Sequence, residues 1–485
     1  MTEWVWWLLL VQAGLGLIDV VVHHELVCRL PFQASAGREL TLHGIRNLCY
    51  CVVYVIIACC VAHGGWAWLV LGMLGLELII TFWDWLEEDQ SRRLPPTERA
   101  LHGLLTINFG VLMSCMVPIL WGWAAEPTDL SWANNGLWTP LFVIAALGVG
   151  LFGVKDLVAA RRLARWATKP TLADLKLVRG VSHPGQSLSI LVTGATGLIG
   201  RRLVPAWVLA GHRITVLSRR PAVAAELATP LRIIRSLDEL ADDESIDAVV
   251  HLAGEPVAGG LWTRTRKDYL MASRTELTRA VGEWVARTKR KPAVWLNASA
   301  IGYYGISDAP DRAFSEEASV GSGFAPRLCQ QMERTAIDHA DGCRLVNMRI
   351  GLVLAREGGY LGSLLPAVDL FVGVILGNGR QWQSWIHRDD VIRIMDHCLL
   401  DSNIEGPVNL VAPEPVRAEQ LMKRLGRKLV RPVVLHLPRF VLRVAAGDLA
   451  DELLLGSQRV QPAALVQAGF KFSYETFDEA LDGLF

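Results

Sequence analysis

Five apolar stretches, at residues 4–22, 48–62, 66–83, 104–123 and 137–154, fill the first third of the chain and leave it few ways to fold. Each has about the length that crosses a hydrocarbon core of roughly 30 Å as a helix, the form in which a segment satisfies its own backbone. The 485 residues are 52% apolar and 20% charged, with a mean hydropathy of +0.30, as expected of a membrane portion joined to a soluble one. Tryptophan is concentrated in the first 166 residues and falls near the ends of the stretches, where an amphipathic indole favours the interface. The first stretch lacks a basic start and a small-residue cleavage site, so it is not read as a signal peptide.

Short-loop charges set an orientation. Arg29, Arg38 and Arg46 follow the first stretch, and Arg92, Arg93 and Arg99 follow the third. The connections after the second and fourth stretches hold no Lys or Arg. Lys155, Arg161, Arg162, Arg165 and Lys169 follow the fifth. This alternation predicts an outside N-terminus and a cytoplasmic location for everything after Val154, the arrangement of a multi-pass bacterial-type inner membrane protein whose partner is the lipid bilayer. Lys+Arg and Asp+Glu are both 48, so nucleic acid is not expected as a partner.

Polar groups punctuate this region: Asp19, His23, His24, Glu25, His43, Glu77, Asp84, Glu98, His102 and Asn108. Glu39/His43 and Glu98/His102 are spaced i,i+4, which puts each pair on one helix face. Such a carboxylate/His set can bind a metal or border a quinone site. The plainer expectation, adopted here, is that most lie in cytoplasmic loops or at headgroup level, that only Asp19 and Glu77 are deep, and that no residue is a metal ligand.

Residues 156–187 are read as a basic juxtamembrane segment and linker, with room for a short helix at 171–180. From residue 188 the pattern changes. A short apolar run ending in Thr193 enters Gly194-Ala195-Thr196-Gly197-Leu198-Ile199-Gly200, followed by a helical stretch and a second strand at 214–217. Gly194 permits a tight turn, Gly197 lets backbone approach a pyrophosphate, and Gly200 lets the helix pack on the sheet. The helix N-terminus then offers free N–H groups to the phosphates. The second strand ends in Ser218-Arg219-Arg220, without the acid that would bind a ribose 2′-hydroxyl. Guanidinium groups there favour a 2′-phosphate, so the expected cofactor is NADP(H). Strand-like runs at 231–235, 248–252, 293–298 and 345–350, separated mostly by helical stretches, predict an α/β Rossmann-like doubly wound parallel sheet over 188–410. Leu252, Ala253 and Gly254 would close the cofactor crevice. Residues 411–485 would form a small C-terminal substrate-side subdomain behind the α-helical membrane domain of residues 1–155.

The residues then carry a resemblance. TGATGLIGRRL (193–203), HLAGEPVA (251–258), WTRTRKDYLMASR (262–274), SAIGYYG (299–305), MRIGLVL (348–354), LGNGRQWQSWIHRDD (376–390) and LLGSQRVQPAALVQAGF (454–470) cover nearly all of the C-terminal part. It resembles the extended or atypical short-chain dehydrogenase/reductase superfamily, and more narrowly the bacterial NAD(P)-dependent epimerase-like family with a DUF1731-type C-terminal extension. The resemblance implies a Ser or Thr, a Tyr and a Lys as the hydride-transfer set. Ser299 stands at the family's serine position. With Glu333 aligned to the usual downstream acid, Ala325 and Cys329 stand where the Tyr and Lys belong. Tyr303 and Tyr304 are the candidates to replace the phenol, against the alternative of aromatic packing in a Gly-flanked loop. Cys329 is a further candidate as a reactive thiol. Arg380 and His387 lie in the segment that lines the substrate side in extended members, against the alternative of a buried pair of His387 with Asp389 or Asp390. Two functions remain open at this point: an NADP(H)-dependent oxidoreductase or epimerase-like enzyme acting on an unknown, lipid-linked or membrane-soluble small molecule, and a catalytically silent NADPH sensor coupled to a membrane bundle.

Overall fold

The computed structural model describes residues 2–91, 94–167, 177, 181, 187–307, 311–340, 342–369 and 373–485. The chain divides into two compact units, Met1–Pro170 and Thr171–Phe485. Arg92, Arg93, Lys169 and most of the expected 171–180 helix and linker lie outside the described residues.

The first unit is built from helices α1 (Glu3–Ile18), α2 (Gly37–Cys59), α3 (Gly65–Ser91), α4 (Pro96–Ala124) and α5 (Trp138–Ala167). Among the described residues, five helical segments are long and apolar enough to cross a membrane. Helix α1 continues without a break as a π-helical segment, Asp19–Val27. Helix α2 packs along α5 at small residues: a Cβ on Gly44 would sit 2.9 Å from the carbonyl oxygen of Gly153, and one on Gly153 would sit 3.0 Å from that of Gly44. Glycine is the residue that lets two helix backbones meet this closely.

The helices run well past the apolar stretches that announce them. Helix α2 starts at Gly37, not near 48, and α4 starts at Pro96, not near 104. Glu39, His43, Glu98 and His102 are therefore helical rather than in loops. Asp19, His23, His24, Glu25, Glu39, His43, Glu77, Asp84, Glu88 and Glu98 are all buried. The expectation that only Asp19 and Glu77 are deep is corrected: charged residues end an apolar window, but they do not end a helix when they pair across a bundle. His43 Nε2 lies 2.6 Å from Asp84 Oδ2, to which Arg46 also donates at 3.2 Å, and Lys155 donates to Glu25.

The second unit contains a seven-stranded, all-parallel sheet. Its strands are β1 (Ser189–Thr193), β2 (Arg213–Leu217), β3 (Arg232–Ile234), β4 (Ala248–His251), β5 (Val294–Ala300), β6 (Arg344–Ile350) and β7 (Gly406–Leu410), in the spatial order β7-β6-β5-β4-β1-β2-β3. Helices α6 (Gly200–Leu209), α7 (Arg264–Arg287), α8 (Phe324–His339) and α9 (Arg388–Leu400) are among those joining them. Strand order reverses between β1 and β4, which opens a crevice at their carboxyl ends, the place where doubly wound sheets bind ligands. Apolar residues fill both faces: Val192, Val204, Trp207 and Val250 in one cluster, Leu191, Val249, Trp284 and Trp295 in another. Strand β7 gives no strand-like signal in the sequence, because Gly406-Pro407 looks like a turn. It is an edge strand, where a proline costs no ladder hydrogen bond. Beyond the sheet, Arg459–Val460 pairs with Ala313–Phe314, so the C-terminal segment is stitched back to the loops after β5.

Candidate functional site

The β1–α6 turn is shaped by backbone contact. Gly194 has φ +73°, and a Cβ there would lie 2.6 Å from both the Leu252 carbonyl carbon and the Ala253 nitrogen. A Cβ on Gly200 would lie 2.5 Å from Ala195 backbone. Gly197 is different. It is exposed, and a Cβ would meet only the Gly194 carbonyl oxygen, at 3.2 Å. The first and third glycines thus serve the fold, and the second presents open backbone to the crevice. Gly197 N–H donates to Gly194 O at 3.0 Å, and Arg201 Nε donates to Thr196 O at 2.8 Å, fixing the loop that carries Thr196, Leu198 and Ile199.

Across the crevice, Leu252 N–H donates to Thr193 O and Ala253 N–H to Thr193 Oγ1. His251 joins the same floor, with Nδ1 2.8 Å from Thr193 Oγ1 and Nε2 3.1 Å from Thr278 Oγ1. Burial pushes its pKa down to about 4, so it is a neutral structural imidazole. Gly254 is exposed at the crevice rim. At the end of β2, Ser218 Oγ accepts from Arg220 N–H at 3.1 Å, and Arg219 is exposed beside it.

The catalytic candidates separate into two environments. Ser299, at the end of β5, is buried and donates to Glu333 Oε1 at 2.7 Å. Glu333 also accepts from Arg349 Nε and Nη2, at 2.9 and 2.8 Å. Arg349 Nη1 donates to Tyr304 OH at 2.9 Å, and that hydroxyl donates to Asn409 Oδ1 at 2.6 Å. Tyr304 is 2% exposed, and burial raises its pKa. Its hydroxyl is thus spoken for on both sides, as packing and not as a free acid. Tyr303 is only partly buried, and the Arg349 guanidinium lies 3.5 Å from its ring centroid.

Ala325 and Cys329 are buried on α8, against the Ile301–Tyr304 turn. A Cβ on Gly302 would stand 3.5 Å from Ala325 Cβ and 3.6 Å from Cys329 Sγ. Burial, aided by Glu333, pushes the Cys329 thiol up to about 11, which removes it as a thiolate nucleophile near neutrality. For His387 the structure shows the buried arrangement. His387 is 4% exposed, its Nδ1 accepts from Asp389 N–H at the start of α9, and its ring packs 3.9 Å from that of Tyr474. Burial lowers its pKa to about 4. Asp389 instead takes a fork of two hydrogen bonds from Arg202 on α6, at 2.9 and 3.1 Å. Arg380 is exposed, and its carbonyl accepts from Arg417.

Three groups escaped the sequence reading as site elements. Arg349 and Asn409 lie on β6 and β7, far from Tyr304 in sequence. Glu452, in the C-terminal segment, accepts from the N–H groups of Phe324 and Ala325 at 2.9 and 2.7 Å and so caps α8. The i,i+1 tyrosine pair beside a serine was the visible signal, but nothing local announces partners on other strands.

The NAD dependent epimerase/dehydratase family model matches residues 190–410, and that of a domain of unknown function, DUF1731, matches 437–484. An epimerase family protein of Mycobacterium leprae is 37% identical over 295 residues, which cover 60% of this chain and 94% of that protein. This chain belongs to the epimerase family. An Arabidopsis thaliana member, described as a chloroplastic homologue of SDR39U1, is 34% identical over 62% of this chain and 87% of its own length. Among solved structures, the human epimerase family protein SDR39U1 (isoform 2) with NADPH aligns at a TM-score of 0.56 and 29% identity, covering 61% of this chain and 99% of that one. The epimerase-family portion thus coincides with the Rossmann-like sheet and its C-terminal segment.

Proposed function

We propose that this protein is an NADP(H)-dependent oxidoreductase or epimerase-like enzyme held at a membrane by its five N-terminal helices. The observation that carries the cofactor reading is the Gly197 backbone, open at the β1/β4 switch point, with Arg219 exposed at the end of β2 where an acid would select NAD. The human relative with NADPH supports it. The helices' length and apolarity, and the arginine asymmetry of their connections, support an inner-membrane location with the second unit on the cytoplasmic side. Tethering suits a substrate that is lipid-linked or membrane-soluble.

When bound, the nicotinamide would supply or accept the hydride. Gly197 and the α6 N-terminus would hold the pyrophosphate, with Gly194 shaping the turn, and Ser218 and Arg219 would hold the 2′-phosphate. Tyr303 is the candidate proton donor, since the neighbouring Tyr304 hydroxyl is committed to Arg349 and Asn409. Arg349, stacked on the Tyr303 ring, provides a positive charge that developing negative charge on the phenol would meet. Ser299, tied to Glu333, serves the architecture of that corner rather than the reaction.

NADPH oxidation by the purified full-length protein, against a panel of quinones, aldehydes and keto-sugars, tests the reading. Turnover of one class, reduced on the order of 10²–10⁴-fold in Tyr303→Phe, is the expected result. Tight NADPH binding with no turnover of any class would replace it with a silent sensor, and equal activity in Tyr303→Phe would remove the tyrosine.

A further inference from the structure

The first unit contains a converging set of nitrogen and oxygen donors that the proposed reaction does not use. Asp19, His24, Glu98 and His102 each offer one donor atom, all within 4.8 Å of one another. His24 Nε2 lies 3.5 Å from Asp19 Oδ2 and 3.6 Å from Glu98 Oε1. His102 Nε2 lies 3.3 Å from the same Asp19 oxygen. Neighbouring ligands of a tetrahedral ion bound at about 2.0–2.2 Å are separated by about 3.3–3.6 Å, the edge of that tetrahedron. Asp19, His24 and Glu98 are at most 2% exposed.

The outward atoms of three of these side chains, Asp19, Glu98 and His102, are held. Asp19 Oδ1 faces His23 Nδ1 at 3.1 Å, and His23 Nε2 faces Thr97 Oγ1 at 3.2 Å. Glu98 Oε2 accepts from Cys28 Sγ at 3.5 Å. His102 Nδ1 faces Glu88 Oε2 at 3.5 Å. In Asp19, Glu98 and His102 one atom points inward while the other is tethered outward, the arrangement that orients ligands around a metal.

The backbone explains how the set assembles. Across Asp19–Val27 the helix is of the π type, with Cys28 N–H reaching His23 O, five residues back, at 2.7 Å. In an α-helix the fifth residue points away from the first. The wider π turn brings His24 beside Asp19, and such segments are frequent at functional sites. Glu98 and His102 come from one face of α4, spaced i,i+4.

A second set adjoins the first and shares His24: His24, Glu39, His43 and Glu88. The His24 and His43 rings stack at 4.3 Å. His43 is 1% exposed, its Nε2 is taken by Asp84, and its Nδ1 has no hydrogen-bond partner among the described residues. A cavity of about 440 Å³, lined by Gln12, Tyr50, Glu77 and Phe109 among others, reaches Asp19 and His102. So many buried carboxylates require compensating positive charge.

We propose that Asp19, His24, Glu98 and His102 bind a divalent first-row transition-metal ion, the class that mixed imidazole and carboxylate donors select. The experiment uses full-length protein in detergent, stripped with chelator and dialysed against Zn²⁺ alone. About one Zn²⁺ per chain is expected. It is lost in His24→Ala and in His102→Ala and kept in His63→Ala, whose residue lies beside Glu126 outside the set. His23→Ala, which frees the outer oxygen of Asp19, weakens binding about 10–100-fold. Because a ligand variant can misfold, the wild type is also loaded with Co²⁺. Ligand-field bands of a four-coordinate site, displaced by Zn²⁺, support the proposal without any substitution. Wild type that dialyses to background zinc and shows no such bands overturns it in favour of a metal-free imidazolium–carboxylate network. Zinc retained in full by both His24→Ala and His102→Ala also overturns it.

Discussion

Ser299 Oγ donates to Glu333 Oε1 at 2.7 Å, and that carboxylate is at the same time the two-pronged acceptor of Arg349. The serine at the family's substrate position is therefore part of a buried ion-pair network. Removing Glu333 would strand the Arg349 guanidinium, whose side chain is 4% exposed. Glu333→Ala is expected to destabilise the second unit by about 3–5 kcal/mol, and Ser299→Ala by only about 1 kcal/mol. Denaturant unfolding of the two variants checks the ranking.

The three glycines of the β1–α6 turn should respond differently to one methyl group. Gly200→Ala forces a Cβ to 2.5 Å from Ala195 backbone, and Gly194→Ala adds a left-handed φ, so both should lower the melting temperature. Gly197→Ala should leave it nearly unchanged while abolishing NADPH binding. Thermal unfolding alongside cofactor titration distinguishes the two effects.

Cofactor preference should rest on Arg219. A charge-assisted hydrogen bond to the 2′-phosphate contributes about 1.5–3 kcal/mol, so NADPH should bind about tenfold or more tighter than NADH. Titration of both cofactors into wild type and Arg219→Ala checks this, with the preference expected to fall in the variant.

His251 and His387 are neutral in the fold, their pKa values lowered by burial from the ordinary 6.5 to about 4. Between those values the unfolded chain binds protons that the native one refuses. Stability is thus fully present above about pH 6.5 and declines as pH falls towards 4, by roughly 3 kcal/mol for each histidine. In His387→Asn, which keeps a side-chain acceptor at the start of α9, the pH dependence measured by equilibrium unfolding should be correspondingly shallower.

The connection at 126–135 should lie on the opposite side of the membrane from residues 84–103, because only the latter is rich in arginine. Labelling of single cysteines introduced into a cysteine-free background checks it, with 126–135 reached from outside.

What sequence alone determined follows from short-range rules. Five apolar stretches fix five long helices, and a glycine-spaced turn between a strand and a helix fixes a dinucleotide crevice, because each depends on neighbours within a few residues. Six of the seven parallel strands announce themselves as short apolar runs for the same reason. Strand β7 does not, since its Gly-Pro start is permitted only by its place at the sheet edge. Tertiary structure alone decided which polar groups are partners. Tyr304 meets Asn409, His387 packs on Tyr474, and Glu98 meets His24 over a π-helical turn, all through contacts many tens of residues apart. A side chain's chemistry is written at its own position, but its partner is chosen by how the elements pack.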